Sequence, residues 1–309
     1  MADLLVPCGA APAHADGRFA PSPTGTLHLG NLRTALLAWL FARAADARFL
    51  VRIEDLDSGR VRASFVAEQL ADLAALGLDH DDEIVRQSER TSRYEAALER
   101  LRDAGLVYPC WCTRAEIRDA ASAPHDGLPN GAYPGTCRDL PAAEAERRAA
   151  SGRPPALRVR ASGAVERFTD RLCGPVSGAV DDFVIRRNDG AFAYNLAVVV
   201  DDGDQGIGEV VRGADLLDST PRQRWLQRRL GLPHPGYAHV PLLLGEGGRR
   251  LAKRDGAITL AERRALGQTA AQLRGELAAS VGLARAGEAP ALGDLVARTR
   301  DLLHSGVPA

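Results

Sequence analysis

No stretch of this 309-residue chain stays apolar long enough to cross a bilayer; runs such as YNLAVVV fall well short. The opening residues, MADLLVPCGAAPAHADG, have neither a basic flank nor a continuous apolar core, so they do not read as a secretory signal. Their Ala, Pro and Gly content predicts a frayed, disordered tail over 1–16 instead. Net charge is also lacking, with 39 basic against 40 acidic residues and a formal total of -1. No global field draws the chain toward nucleic acid, so any RNA contact must rest on local patches. Five cysteines cannot all pair, and Cys110-Trp111-Cys112 is too tight for an easy disulfide. A reducing cytoplasm is the expected compartment, with Cys8 and Cys173 as free thiols. There is no internal repeat.

What is present is ordinary globular material, 45% hydrophobic and 26% charged. The length suits two domains, or one large domain carrying an insertion. Residues 32–45 place Leu32, Ala35, Leu36, Trp39 and Leu40 on one helical face, and ARFLVRIEDLD alternates as a strand that runs into an acidic turn. VAEQLADLAALG and RYEAALERLRDAG read as helices ending on Gly77 and Gly105. Strand–loop–helix followed by strand–helix predicts an α/β fold built on a Rossmann-like parallel sheet. The pattern changes at 107, where Cys, Pro and Gly punctuation begins. A helical stretch around 142–150 and the strand ALRVRA then suggest an inserted α+β module over 107–180. DFVIRRNDGAFAYNLAVVVDD predicts two strands joined by a hairpin turn at Asn188-Asp189-Gly190. The expected organisation is thus a tail over 1–16, a first catalytic half over 17–106, the insertion over 107–180 and a second half over 181–245. A basic loop and a C-terminal helical segment complete it over 246–309.

RFAPSPTGTLHLGN, at 18–31, is the most informative stretch. Pro21 and Pro23 stiffen the approach, Gly25 and Gly30 allow close backbone contact, and a helix start follows that can offer N–H groups to an anion. His28 can donate a hydrogen bond to a phosphate oxygen.

The string resembles the HIGH signature of class I aminoacyl-tRNA synthetases, and RFAPSPTG resembles its glutamyl version. RIEDLD at 52–57, FAYNLAVVVDD at 192–202 and VVRGADLL at 210–217 are similar to further motifs of that family, in order, and RLAKRDGA at 250–257 stands in the place of the KMSKS loop. The resemblance covers 18–265 and implies that a glutamate carboxylate is joined to the α-phosphate of ATP, with Mg2+ accompanying the nucleotide. Such chemistry needs two anions aligned and phosphate charge neutralised, which suits His, Lys, Arg and backbone N–H and needs no Ser–His–Asp set. The resemblance assigns the triphosphate to His28, Gly30, Asn31 and Lys253, with His28 and Lys253 as the catalytic pair and Arg250 and Arg254 as lesser helpers. It assigns glutamate to Arg18 and Arg212 as cations, Glu54 facing the ammonium, hydroxyls from Ser22 and Tyr194, and backbone and shape from Phe19, Ala20 and Pro21. A bidentate Arg suits a carboxylate better than Lys does. The loop departs from the family pattern at Ala252, where Ser is usual, and at Arg250, where Lys is usual.

A second constellation is Cys110-x-Cys112 with Tyr133 and Cys137 in GAYPGTC. Three thiolates and a further donor make a tetrahedral zinc site, and no open position is required, so one structural Zn2+ is expected. The fourth ligand is open between Tyr133, His125 and a water. A tyrosine in this setting resembles the glutamyl-queuosine tRNA(Asp) synthetases, the paralogues of glutamyl-tRNA synthetase that resemble its catalytic half. Only about fifty residues follow Lys253, so no anticodon-binding domain of typical size is expected. The resemblance implies transfer of glutamate to the queuosine base at the wobble position, with the tRNA(Asp) anticodon loop in the cleft. RQRWLQRR and GRRLAKR are candidate RNA patches, although the first is equally a solvated helix face. A monomer with no membrane partner is expected. The competing readings are a truncated glutamyl-tRNA synthetase charging tRNA(Glu) or another acceptor, and a non-catalytic tRNA-binding paralogue.

Overall fold

The computed structural model describes residues 5–9, 12–113, 115–117, 132–245 and 258–305. Strands β1 (Gly17–Phe19), β2 (Phe49–Ile53) and β3 (Val85–Arg86) form a parallel ladder in the order β1-β2-β3, with helices α1 (Leu29–Ala44) and α2 (Ala63–Ala75) as the crossovers. All five residues of β2 are buried, as expected of a parallel strand covered on both faces. Helix α1 is wider in its apolar face than the predicted stripe: Leu36, Leu37, Leu40 and Phe41 are all buried, because it packs on the sheet and on the C-terminal helices together. Gly77 and Gly105 take positive φ at the ends of α2 and α3 (Thr91–Asp103), as their αL role requires.

Strands β9 (Glu209–Gly213) and β10 (Gly236–Val240) pair in parallel, and β9 lies along β1 through the Gly208 and Glu209 N–H groups, both donating to the Asp16 carbonyl. Gly208 has to be glycine, since a Cβ there would fall 2.0 Å from the His14 carbonyl oxygen. The strand order therefore reverses between β1 and β9. In doubly wound sheets that crevice, at the carboxyl ends of the strands, is where ligands sit.

Between the halves run β4 (Val107–Cys110), α4 (Ala142–Ala149), β5 (Ala156–Val159), the hairpin β6 (Val165–Asp170) and β7 (Gly174–Ala179), and β8 (Val184–Arg186). Strand β8 lies beyond the expected edge at 180 yet pairs antiparallel with β5, so the insertion's sheet runs to Arg186. The predicted two-stranded hairpin is corrected here. The Asn188–Gly190 turn forms, with Gly190 at φ 88, but the return is a single bridge from Arg186 to Phe192. The valine-rich run that follows is helix α5 (Tyr194–Asp204). Leu196 through Asp202 are all buried, because α5 is wedged between α3 and α6 (Thr220–Arg229), and burial on every side erases the periodicity that separates helix from strand.

The described chain closes with α7 (Leu260–Ala265), α8 (Ala270–Ala279) and α9 (Leu292–Ser305). Helices α8 and α9 lie on α1, and Thr259–Glu262 and Thr269–Gln272 form capping boxes that start α7 and α8. The frayed tail expected over 1–16 is also corrected for its described residues. Leu5 is buried in the α1 core with its N–H on the Val281 carbonyl, and the Cys8 N–H donates to the Arg171 carbonyl. No described helix is long and apolar enough to cross a membrane.

Candidate active site

The loop from β1 to α1 is built by its own side chains. His28 is the N-cap of α1: its Nδ1 accepts from the Asn31 N–H (3.2 Å), while its own N–H donates to Asn31 Oδ1 (3.2 Å). Nδ1 being an acceptor, the ring proton of neutral His28 sits on Nε2. Burial lowers the His28 pKa, with Asp215 pulling the other way, so the ring is a neutral donor rather than a cation. The helix start is less open than the sequence suggests. The Leu29 N–H donates to the Ile258 carbonyl (2.7 Å) and the Asn31 N–H to His28, so among the described residues the Gly30 N–H is the first-turn donor without an acceptor. Gly30 is required, since a Cβ would lie 2.9 Å from His28 Cε1. From α2, the Gln69 side-chain amide donates to the carbonyls of Ser22 (3.2 Å) and Gly25 (2.7 Å) and fixes the loop from below.

Glu54 leaves the end of β2 with Oε1 buried and without a hydrogen-bond partner. Its sequence neighbour Arg52 comes no nearer than 3.7 Å. The fully buried Arg52 guanidinium is held instead by Asp202 Oδ1 (2.8 Å) and Gln205 Oε1 (2.7 Å). Arg18 on β1 donates to the same Asp202 through Nε (3.2 Å) and Nη2 (3.3 Å). Burial raises the Glu54 pKa to about 7 against the pull of Arg52 and Arg18. On β9, Arg212 donates through Nη1 toward the Tyr194 hydroxyl (3.5 Å) and through Nη2 to Thr220 Oγ1 (2.8 Å).

These groups face one cavity of about 670 Å3, within the usual range for small-molecule sites. Arg18, Phe19, Ala20, Pro21, Ser22, Glu54, Tyr194 and Arg212 line it, together with His28, Gly30 and Asn31. Lys253, Ala252, Arg250 and Arg254 lie outside the described residues, as does His125. Their flanks are informative: Leu243 lines the cavity, and Thr259 bridges to His28. Thr24, Gln69 and Asp215 also line the cavity and were missed in sequence. Asp202 was missed too, although its signal was readable, an acidic doublet closing an apolar run.

Part of the RQRWLQRR helix face is engaged within the chain, while Arg228 and Arg229 remain exposed. Arg222 bonds Asp181 (2.6 Å), Arg228 bonds Glu166 (2.7 Å), and Arg224 stacks on Phe168. These contacts pin α6 to the insertion.

In the insertion, the sulfurs of Cys110, Cys112 and Cys137 all lie within 4.8 Å of one another. The Tyr133 hydroxyl is 3.4 Å from Cys110 Sγ and 3.5 Å from Cys112 Sγ, and it accepts from the Cys137 N–H at 2.8 Å. Zn–S bonds near 2.3 Å and Zn–O near 2.0 Å imply S···O edges of about 3.5 Å in a tetrahedron, so the four donors fit a single ion. Arg158 lies 3.7 Å over the Tyr133 ring, where its charge favours the thiolate of Cys110. Burial pushes the Cys112 thiol up to about 12 and the Tyr133 phenol up as well, so both depend on a metal to lose their protons.

Residues 15–281 match the family model described as tRNA synthetases class I (E and Q), catalytic domain. The chain is 59% identical over 284 residues to the glutamyl-Q tRNA(Asp) synthetase of Nocardia farcinica, covering 92% of this chain and 88% of that one. It is 51% identical to that of Symbiobacterium thermophilum, over 86% of each. Among solved structures it resembles a glutamate tRNA ligase from Elizabethkingia meningosepticum in complex with its amino acid, with a TM-score of 0.77 and 26% identity. The glutamate-tRNA synthetase from Elizabethkingia anophelis aligns with a TM-score of 0.78 and 26% identity. The alignments cover 91% and 92% of this chain but only 64% and 65% of those two.

Proposed function

Because the chain belongs to the class I tRNA synthetases of the glutamate and glutamine type, within the glutamyl-Q tRNA(Asp) synthetases, we propose that it activates L-glutamate with ATP and transfers it to queuosine in tRNA(Asp). In the first step an α-carboxylate oxygen attacks the α-phosphorus, the bond to the β-phosphate bridging oxygen breaks, and pyrophosphate leaves. In the second, a hydroxyl of the queuosine cyclopentene-diol attacks the carbonyl carbon of the adenylate. The carbon–oxygen bond to phosphate breaks, AMP leaves, and the hydroxyl proton is lost.

The observation that carries this reading is the unpartnered, buried Oε1 of Glu54 in a cavity that also presents Arg212. A carboxylate oxygen buried without a donor suits an ammonium group, and a guanidinium lining the same cavity suits a carboxylate. An amino acid with an acidic side chain supplies both. Orientation is the main work of such a site, since holding the carboxylate in line with the α-phosphate removes much of the entropic barrier. His28 Nε2–H and the Gly30 N–H then face the phosphates, and Lys253 follows the leaving pyrophosphate. The described cysteines are unpaired, in keeping with a cytoplasmic setting.

We also infer that Cys110, Cys112, Tyr133 and Cys137 hold one zinc ion, supported by the donor distances above. When bound, it supplies a cross-link between β4 and the 132–137 loop and takes no part in the chemistry.

Glutamate-dependent ATP–pyrophosphate exchange in the absence of tRNA should proceed. Purified tRNA(Asp) should then be labelled only when it carries queuosine. Labelling of unmodified tRNA(Glu) would favour a truncated glutamyl-tRNA synthetase, and absence of exchange a non-catalytic paralogue.

A further inference from the structure

Behind Arg212 lies a chain of buried polar groups that does not itself line the cavity. The parallel register sets Arg212 on β9 beside His239 on β10. His239 is 1% exposed and Asp170, at the end of β6, is 0% exposed. His239 Nδ1 stands 2.6 Å from Asp170 Oδ2. Asp170 Oδ1 meanwhile accepts from the N–H groups of Leu172 (3.0 Å), Cys173 (2.9 Å) and His239 (3.2 Å). At the far side of the ring, His239 Nε2 is 3.1 Å from Arg212 Nε and 3.2 Å from Thr220 Oγ1.

The two ends of this chain fix the proton between them. Ionised aspartate only accepts and arginine only donates. His239 must therefore donate from Nδ1 to Asp170 and accept at Nε2 from Arg212. A proton on Nε2 would set two N–H groups against each other in a buried site. The pKa directions agree: burial lowers that of His239, and the bonds from His239, Cys173 and Leu172 hold Asp170 below the usual carboxylate range although its burial opposes them. With Nε on His239 and Nη2 on Thr220, one edge of the guanidinium is clamped, and Nη1 is left beside Tyr194 at the cavity wall.

We propose that His239, oriented by Asp170, is a positioning residue that fixes the Arg212 guanidinium and so sets the affinity of the pocket for a side-chain carboxylate. The inference rests on the reading that Arg212 receives the glutamate side chain. His239 touches no substrate and acts only through Arg212. The competing role is purely structural, because Asp170 also ties the β6–β7 turn to β10.

Two near-isosteric variants separate these roles. Asp170→Asn keeps an oxygen for the three backbone N–H groups, and so keeps the turn. It also places an amide donor against His239 Nδ1, which moves the ring proton to Nε2 and turns it against Arg212. The glutamate KM in pyrophosphate exchange should rise roughly tenfold to a hundredfold, the range set by an unsatisfied buried group, while the ATP KM holds. His239→Gln gives up the bond to Asp170 but places an amide oxygen where Nε2 stood. It should bind glutamate better than Asp170→Asn while melting at a lower temperature, an inversion that a structural brace cannot produce. Nitrogen NMR of the wild-type protein reads the tautomer without any variant and should show His239 protonated on Nδ1. A proton on Nε2, or an unchanged glutamate KM in a folded Asp170→Asn protein, overturns the inference alone. A wild-type enzyme inactive with glutamate overturns the functional reading and this inference with it.

Discussion

Glu54 Oε1 lies 3.7 Å from Arg52 Nη2 and makes no hydrogen bond, because Asp202 holds that same nitrogen at 2.8 Å. A residue two places away in sequence, which could have neutralised Glu54, is thus turned toward α5. Glu54 Oε1 is left buried without a hydrogen-bond partner at the cavity wall.

The first consequence is a pH dependence. Burial raises the Glu54 pKa to about 7, with Arg52 and Arg18 opposing. Below that value Glu54 is neutral and offers an ammonium group no counter-charge; above it the carboxylate is available. kcat/KM for glutamate should climb as pH rises through about 7, with no matching change for ATP. Glu54→Gln should abolish the inflection and lower kcat/KM throughout. Persistence of the inflection in that variant would assign it to another group.

Arg212→Lys keeps a positive charge but has no Nε for His239 and no fork for a carboxylate. Its glutamate KM should rise roughly tenfold to a hundredfold, the value of a charge-assisted bond, with ATP affinity kept. Calorimetric titration with glutamate is the direct check. Unchanged binding would mean that the side-chain pocket lies elsewhere.

Gly30→Ala places a methyl group 2.9 Å from Cε1 and 3.0 Å from Nδ1 of His28. The ring must move, the Asn31 N–H loses its acceptor, and α1 loses about 1 kcal/mol of cap. The ATP KM should rise roughly tenfold or more from the displaced His28, while glutamate still binds. A variant with normal nucleotide kinetics would remove His28 from the phosphate site.

Protein prepared without chelator should contain one zinc per chain by elemental analysis, and chelation should lower its melting temperature. Tyr133→Phe preserves the ring under Arg158 but deletes the oxygen near Cys110 and Cys112, so zinc affinity should fall roughly tenfold or more. Equal affinity in the two proteins would point to a fourth ligand other than Tyr133.

Local signals were legible where chemistry and spacing coincide. RFAPSPTGTLHLGN marked the β1–α1 loop because a cap, two glycines and an apolar helix follow each other without interruption, and the Cys110–Cys137 cluster was visible as a ligand spacing. The helical character of α5 was not legible, and the run reads as a strand, since Leu196 through Asp202 are all buried and carry no amphipathic period. Nor was the support behind the cavity: Arg18 meets Asp202 from 184 residues away, and His239 meets Asp170 from 69. Such pairs depend on the sheet order, which a linear pattern does not encode. The described residues of the predicted tail depart from expectation for a similar reason, as Leu5 finds its partner only once Val281 is in place.

Asp202 is the counter-ion shared by Arg18 from β1 and Arg52 from β2, and that arrangement sets limits for any attempt to retune the enzyme toward other amino acids. Substitution at either arginine leaves the buried Asp202 carboxylate with one cationic partner in place of two, so changes there disturb the charge balance beneath the pocket as well as its shape. Variation at an uncharged lining residue such as Tyr194 leaves both bonds to Asp202 in place and so alters shape without unbalancing that buried charge.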